Sequence, residues 1–134
     1  MAYAAAYLIA LVIFGVLDIA YLTTIGAKVF KDALGDILAT DVRMGPAIAF
    51  YLLYPAGLVF FAIAPALRDA SLSTALVNGA LFGLFTYATY DLTNYATLRN
   101  WTLGLTIMDL AYGAALAAFT AAVTYLIVER FAGN

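Results

Sequence analysis

The sequence predicts an all-α integral membrane protein: a bundle of four membrane-spanning helices with a short amphipathic interfacial helix between spans one and two. Three observations carry that prediction. The 134-residue chain is 66% hydrophobic and only 10% charged, whereas a water-soluble domain carries roughly 45–50% apolar and about 25% charged residues. The apolar residues gather in four runs, each near the roughly 20 residues that a helix needs to cross a hydrocarbon core. The links after Leu67 and near Arg99 are short, so neighbouring helices are expected to pack antiparallel.

The first span is expected over residues 2–25. It has no basic leading segment and its apolar run is too long for a cleaved signal, so it is expected to remain as a span. The link that follows, "KVFKDALGDILATDVRMG", places Phe30, Ala33, Leu34, Ile37 and Leu38 at helical spacing, with Lys31, Asp32 and Asp36 between them. That pattern predicts an amphipathic helix over residues 29–39, lying in the interface. The second span is expected over 46–67, begun by Pro46 and kinked at Pro55.

The third span is expected over 73–97 and the fourth over 102–128. Gly79 and Gly83 form a GxxxG in the third, and Gly113, Ala117 and Ala121 a ridge of small residues in the fourth. Small residues let helix backbones approach closely, so this half of the bundle is expected to be tight and the other half wider. Contact between two copies of the chain is the competing use of the same motif. Trp101 is expected as an interfacial anchor, and Glu129 and Arg130 as the solvated end of the last helix. The whole chain reads as a single membrane domain, residues 1–134.

Composition also narrows the chemistry. The net charge is −2, which leaves no basic face for nucleic acid. The chain has no Cys and no His. Disulfides, thiol nucleophiles, the usual haem and zinc ligands and the usual neutral-pH base are therefore excluded, and neither a cofactor nor a metal site is expected. Lys28, Lys31, Arg43 and Arg99 lie on the face carrying the first and third links, against Arg68 and Arg130 on the other. The excess of basic residues on the first face predicts termini outside the cytoplasm.

The stretch "YATYDLTNYATLRNW", Tyr87 to Trp101, is too polar for the apolar runs around it. Asp18, Asp91 and Asp109 each lie about eight residues inside the same membrane face, a depth of roughly 12 Å at 1.5 Å per residue. Tyr51 and Tyr54 reach a similar depth from the second span. Tyr87, Asp91 and Asn94 share one helical stripe, and the phrases "DIAY" and "DLAY" set Tyr21 and Tyr112 one turn beyond Asp18 and Asp109. An Asp near the bilayer centre costs roughly 2.5–3.5 kcal/mol. Three acids at one depth therefore need compensation, from Arg99, from hydroxyl donors, from retained protons, or from a bound cation or amine.

These residues form a candidate ligand site: Asp18, Asp91 and Asp109 as possible acid–base groups, Tyr21, Tyr51, Tyr54, Tyr87 and Tyr112 as phenolic walls, Asn94 as a donor. Arg99 would hold a phosphate or carboxylate. Any enzyme built here would run acid–base chemistry on Asp against a lipid-like substrate. The bland alternative is that the polar groups act only as glue between helices.

The run "FGLFTYATYDLTNYATLRNWTLGLTIMDLAYG", with "VLDIAYL", "ALGDILA" and "FYLLYPAGLVFFAIAPAL" before it, resembles a bacterial family of small four-helix membrane proteins, the domain of unknown function numbered 2177. The resemblance covers most of the chain. It implies Asp18, Asp91, Asn94, Arg99 and Asp109 as motif positions and carries no activity with it. Trp is expected in the family where Tyr21 and Tyr112 stand here, which implies an aromatic role at those positions. The resemblance further implies a bacterial inner-membrane location and an association with lipid-modifying enzymes.

Three readings follow. The layer binds a membrane lipid or other amphiphile, with lipid modification as its catalytic form; or it belongs to a small proton- or cation-coupled carrier; or it is structural, in an accessory subunit that pairs with a second copy or another membrane protein.

Overall fold

The computed structural model describes residues 2–38, 41 and 43–131. Four helical rods are long and apolar enough to cross a membrane: Ala2–Thr23, Met44–Asp69, Leu72–Thr97 and Leu103–Phe131. The first is α1. The second comprises α3 (Met44–Leu58), a π-helical turn over Val59–Ile63 and α4 (Ala64–Asp69). The third and fourth are α5 and α6, and α2 (Ile25–Leu34) joins the first rod to the second. No strand occurs among the described residues. The exposed faces are apolar, with Leu8, Val12, Val16, Phe60, Phe61 and Phe85 all turned outward. That inversion of the water-soluble pattern is what a lipid solvent demands.

The tightest seam joins α5 to α6. A Cβ at Gly79 would lie 2.9 Å from the Ala121 Cβ, and one at Gly83 only 2.3 Å from the Gly113 carbonyl oxygen. Gly113 in turn lies under the Tyr87 ring, where a Cβ would come within 2.2 Å. The GxxxG motif is therefore occupied inside the chain and is not available to a second copy. The core continues through Ala6, Ala10, Ala62, Ala75 and Ala117, small residues that bring the rods together in this half, with Leu58 buried among them.

The second rod is irregular for an identifiable reason. Pro65 has no N–H to offer the Phe61 carbonyl one turn earlier, and the preceding turn is wound as π-helix. The Asn78 side chain of α5 donates to that carbonyl instead, at 3.1 Å. Beyond the π turn, α3 packs mainly on α1, whereas the π turn and α4 pack on α5 and α6. The bundle is thus closed at one end and open at the other.

The link after α1 departs from the sequence expectation. The amphipathic helix starts at Ile25 and ends at Leu34, followed by a 3-10 turn over Gly35–Ile37. It stops there because Gly35 takes φ +42°, a conformation that favours glycine. The expected final residue, Ala39, lies outside the described residues. The helix starts early because only Thr24 separates it from α1, and the Thr23 and Thr24 hydroxyls donate to the Ile19 and Ala20 carbonyls there at 2.8 and 2.6 Å.

Trp101 also differs from expectation. It is 4% exposed and packs with Leu34 and Leu105. Its indole N–H donates to Thr106 Oγ1 at 2.9 Å. The apolar face of α2 lies close enough to cover the ring, so Trp101 is a core residue that ties α2 to the start of α6. Ser71 and Thr102 cap α5 and α6 through side-chain oxygens that accept from Thr74 and Leu105 N–H.

Candidate functional site

At the open end, α1, α2, α3, α5 and α6 enclose a cavity of about 840 Å³. Of the expected site residues, Asp18, Tyr21, Tyr54, Tyr87, Asp109 and Tyr112 line it. Thr86, Tyr90, Phe50 and Phe30 line it as well. Thr86 and Tyr90 fall outside the Tyr87–Asp91–Asn94 stripe, which is why spacing alone misses them. Phe30 enters because α2 folds back over the opening, and Gly26 allows that: a Cβ there would meet the Tyr21 carbonyl oxygen at 3.1 Å.

Asp18 is held from two sides. Tyr51 on α3 donates to one carboxylate oxygen at 2.6 Å, and Tyr112 on α6 donates to the other at 2.8 Å. Three helices thus meet at one carboxylate that is 4% exposed. Tyr51 serves the site from behind this bond and does not line the cavity. Tyr54 hydrogen-bonds Thr86 Oγ1 at 2.9 Å, and because the Thr86 hydroxyl donates to the Phe82 carbonyl at 2.7 Å, the phenol is the donor.

Asp91 and Asp109 are placed differently. Asp91 is fully buried, and neither of its oxygens has a hydrogen-bond donor among the described residues. The neighbouring Asp109 carboxyl is 5% exposed and faces the cavity. Two neighbouring buried acids are held only with a proton or another positive charge between or beside them. The Tyr21 hydroxyl, near all three acids, is also buried without a partner. The remaining buried orphans, the hydroxyls of Thr120 and Thr124, lie in the other half of α6.

The walls are aromatic. Tyr21 and Tyr112 stack with centroids 3.6 Å apart, Tyr87 meets Tyr112 edge-on at 6.2 Å, and Tyr54 meets Tyr87 edge-on at 6.1 Å. Two expected members do not line the cavity. Arg99 is exposed in the turn after α5, and Asn94 is half-buried near the end of that helix. Leu98 leaves the helix in an extended conformation, so the chain turns away before Arg99 can point inward. No cluster of three acids close enough to hold a metal ion occurs among the described residues.

Residues 3–126 match the family described as a predicted membrane protein (DUF2177). The chain belongs to that family. No curated protein and no solved structure matches it. For this family member, the site rests on its own geometry: a cavity with a two-acid wall, phenolic sides and an apolar mouth under α2.

Proposed function

We propose that this protein binds a lipid or other amphiphile in the cavity at the open end of the bundle, with the head group against Asp109 and the phenols and the chain leaving along α2 and α3. The observation that carries this reading is the cavity itself. It has the size of a small-molecule site and sits where the helices of a tightly packed bundle part. Leu22, Phe30, Leu34 and Phe50 give it an apolar side beside the acidic one. A bacterial inner membrane is the proposed location. Lys28, Lys31, Arg43 and Arg99 are exposed around the open end, which by the positive-inside rule would face the cytoplasm and leave the termini outside it. A role in lipid modification would use Asp109, with Asp91 behind it, as the acid–base group.

Native mass spectrometry of the full chain, extracted from its own membranes in mild detergent, tests the reading. The expected result is a defined amphiphile retained by the wild type and lost in Asp109→Asn. A chain that carries no such mass in either form refutes it.

One observation favours a second reading. The Asp18 carboxylate, bonded by phenols from two other helices, has the character of structural glue. If the whole layer served that purpose, the protein would be an accessory subunit and would copurify with another membrane protein or a second copy instead of a lipid.

A further inference from the structure

The geometry points to an ammonium as the head group that this cavity accepts, an inference that rests on the amphiphile reading above. The polar wall holds acids and phenols, and no Lys or Arg is among its lining residues. Arg99, the cation expected to reach in toward the acids, stands exposed outside it. A phosphate or carboxylate head would therefore meet a carboxyl wall with no cation to receive it.

The acids are not equivalent as acceptors. Asp18 already takes a phenol hydroxyl on each oxygen. Asp109 faces the cavity with Asp91 behind it, and Asp91 has no donor on either oxygen. A buried pair of acids needs a proton or another positive charge beside it, and a ligand cation can supply that charge.

The aromatic walls fit the same chemistry. Tyr21, Tyr112, Tyr87 and Tyr54 succeed one another as a stack followed by two edge-on pairs, so their faces turn in different directions around the cavity. Aromatic faces beside a carboxylate hold an ammonium through cation–π attraction and charge together, and the attraction grows as water is excluded.

The test compares ligands of one chain length on the purified full chain in maltoside micelles. Trp101 is the only tryptophan, and its ring packs against Phe30 and Tyr90, both of which line the cavity, so its fluorescence reports occupancy. Dodecyltrimethylammonium and dodecylammonium are expected to bind at least about tenfold more tightly than dodecyl phosphate or monododecanoyl glycerol. Asp109→Asn is expected to abolish that preference, and Tyr21→Leu to weaken it; the second variant decides the matter if the first fails to fold by circular dichroism and gel filtration. Arg99→Gln is expected to bind as the wild type does. Equal affinity of the wild type for the ammonium and uncharged probes overturns this inference and leaves the amphiphile reading standing. Binding of none of the dodecyl probes overturns both. Tetramethylammonium binding as tightly as its dodecyl counterpart supports the ammonium and overturns the amphiphile reading, because the site would then take a free amine.

Discussion

Replacing Gly83 by alanine tests the seam on which the shape of the cavity depends. The added carbon would lie 2.3 Å from the Gly113 carbonyl oxygen and 2.7 Å from the Ala117 Cβ. Non-bonded heavy atoms settle at about 3.5–4.0 Å, so α5 and α6 would have to part by about 1 Å. The closest obstruction is backbone on a helix, which cannot swing aside as the end of a side chain does. Overpacking costs about 1–3 kcal/mol, and a rigid neighbour places this substitution at the upper end. For a chain of this length that corresponds to a fall in melting temperature of roughly 10 °C. Thermal unfolding in maltoside, followed by circular dichroism with gel filtration alongside, measures it. Gly15→Ala is the control, since a Cβ there meets nothing within 4 Å; it is expected to melt at the wild-type temperature or slightly above, Ala being favoured in a helix by about 1 kcal/mol. The reasoning fails if Gly83→Ala melts with the wild type, or if its only effect is to separate two copies of the chain.

Other substitutions read other parts of the fold. Tyr51→Phe removes one of the two phenols on Asp18 and should lower stability by about 1–3 kcal/mol, measured by the same melting curves, because a buried acceptor is left unmet. Asn78→Leu leaves the Phe61 carbonyl without its side-chain donor at the π turn and should cost about 1–2 kcal/mol in that assay. Trp101→Leu should free α2 from α6, and limited proteolysis of the link between α2 and α3 should then run faster than in the wild type while the four long helices keep their circular dichroism. Ammonium binding should weaken as the medium is acidified, since a protonated carboxyl no longer attracts a cation; titration of Trp101 fluorescence with dodecylammonium at several pH values checks it, and affinity that rises in acid contradicts it.

Much of this architecture is legible in the sequence because membrane spans are written in composition. Lipid demands apolar exteriors and internally bonded backbone, and the four runs announce both. The small residues at Gly79, Gly83, Gly113 and Ala117 are legible for a similar reason: their only asset is lack of bulk, which has value where two backbones meet. What the sequence hides depends on where the chain turns. Arg99 sits within reach of Asp91 by residue count, yet the extended backbone at Leu98 carries it outward. Trp101 reads as an anchor because tryptophan favours membrane interfaces, and only the return of α2 over it makes it core. Phe30 and Leu34 read as lipid-facing residues of an interfacial helix, whereas they cover Trp101 and close one side of the cavity.

The three acids looked alike in the sequence, each in an apolar helix at one depth, and the structure separates them. Asp18 has what buried polar groups in a stable fold ordinarily have, a donor for each oxygen. Asp91 has none, and the Tyr21 hydroxyl beside the same cavity has no partner either. Leaving such groups unmet costs about 1–3 kcal/mol each, more where they carry charge. Helices bound only by glue would gain from a threonine or asparagine in reach of Asp91, and this bundle is rich in threonines that bond their own backbone instead, as Thr89 and Thr97 do. The unmet need is local. It lies at the open end of the bundle, where Asp109 and Tyr21 line the cavity and Asp91 is buried behind them, and it joins an acid pair to a phenol lacking a partner. A guest with a cationic head supplies the charge, and the aromatic faces around it add cation–π attraction, which is why Asp109, at the surface of that pair, is the residue whose neutralisation separates binding from folding most cleanly.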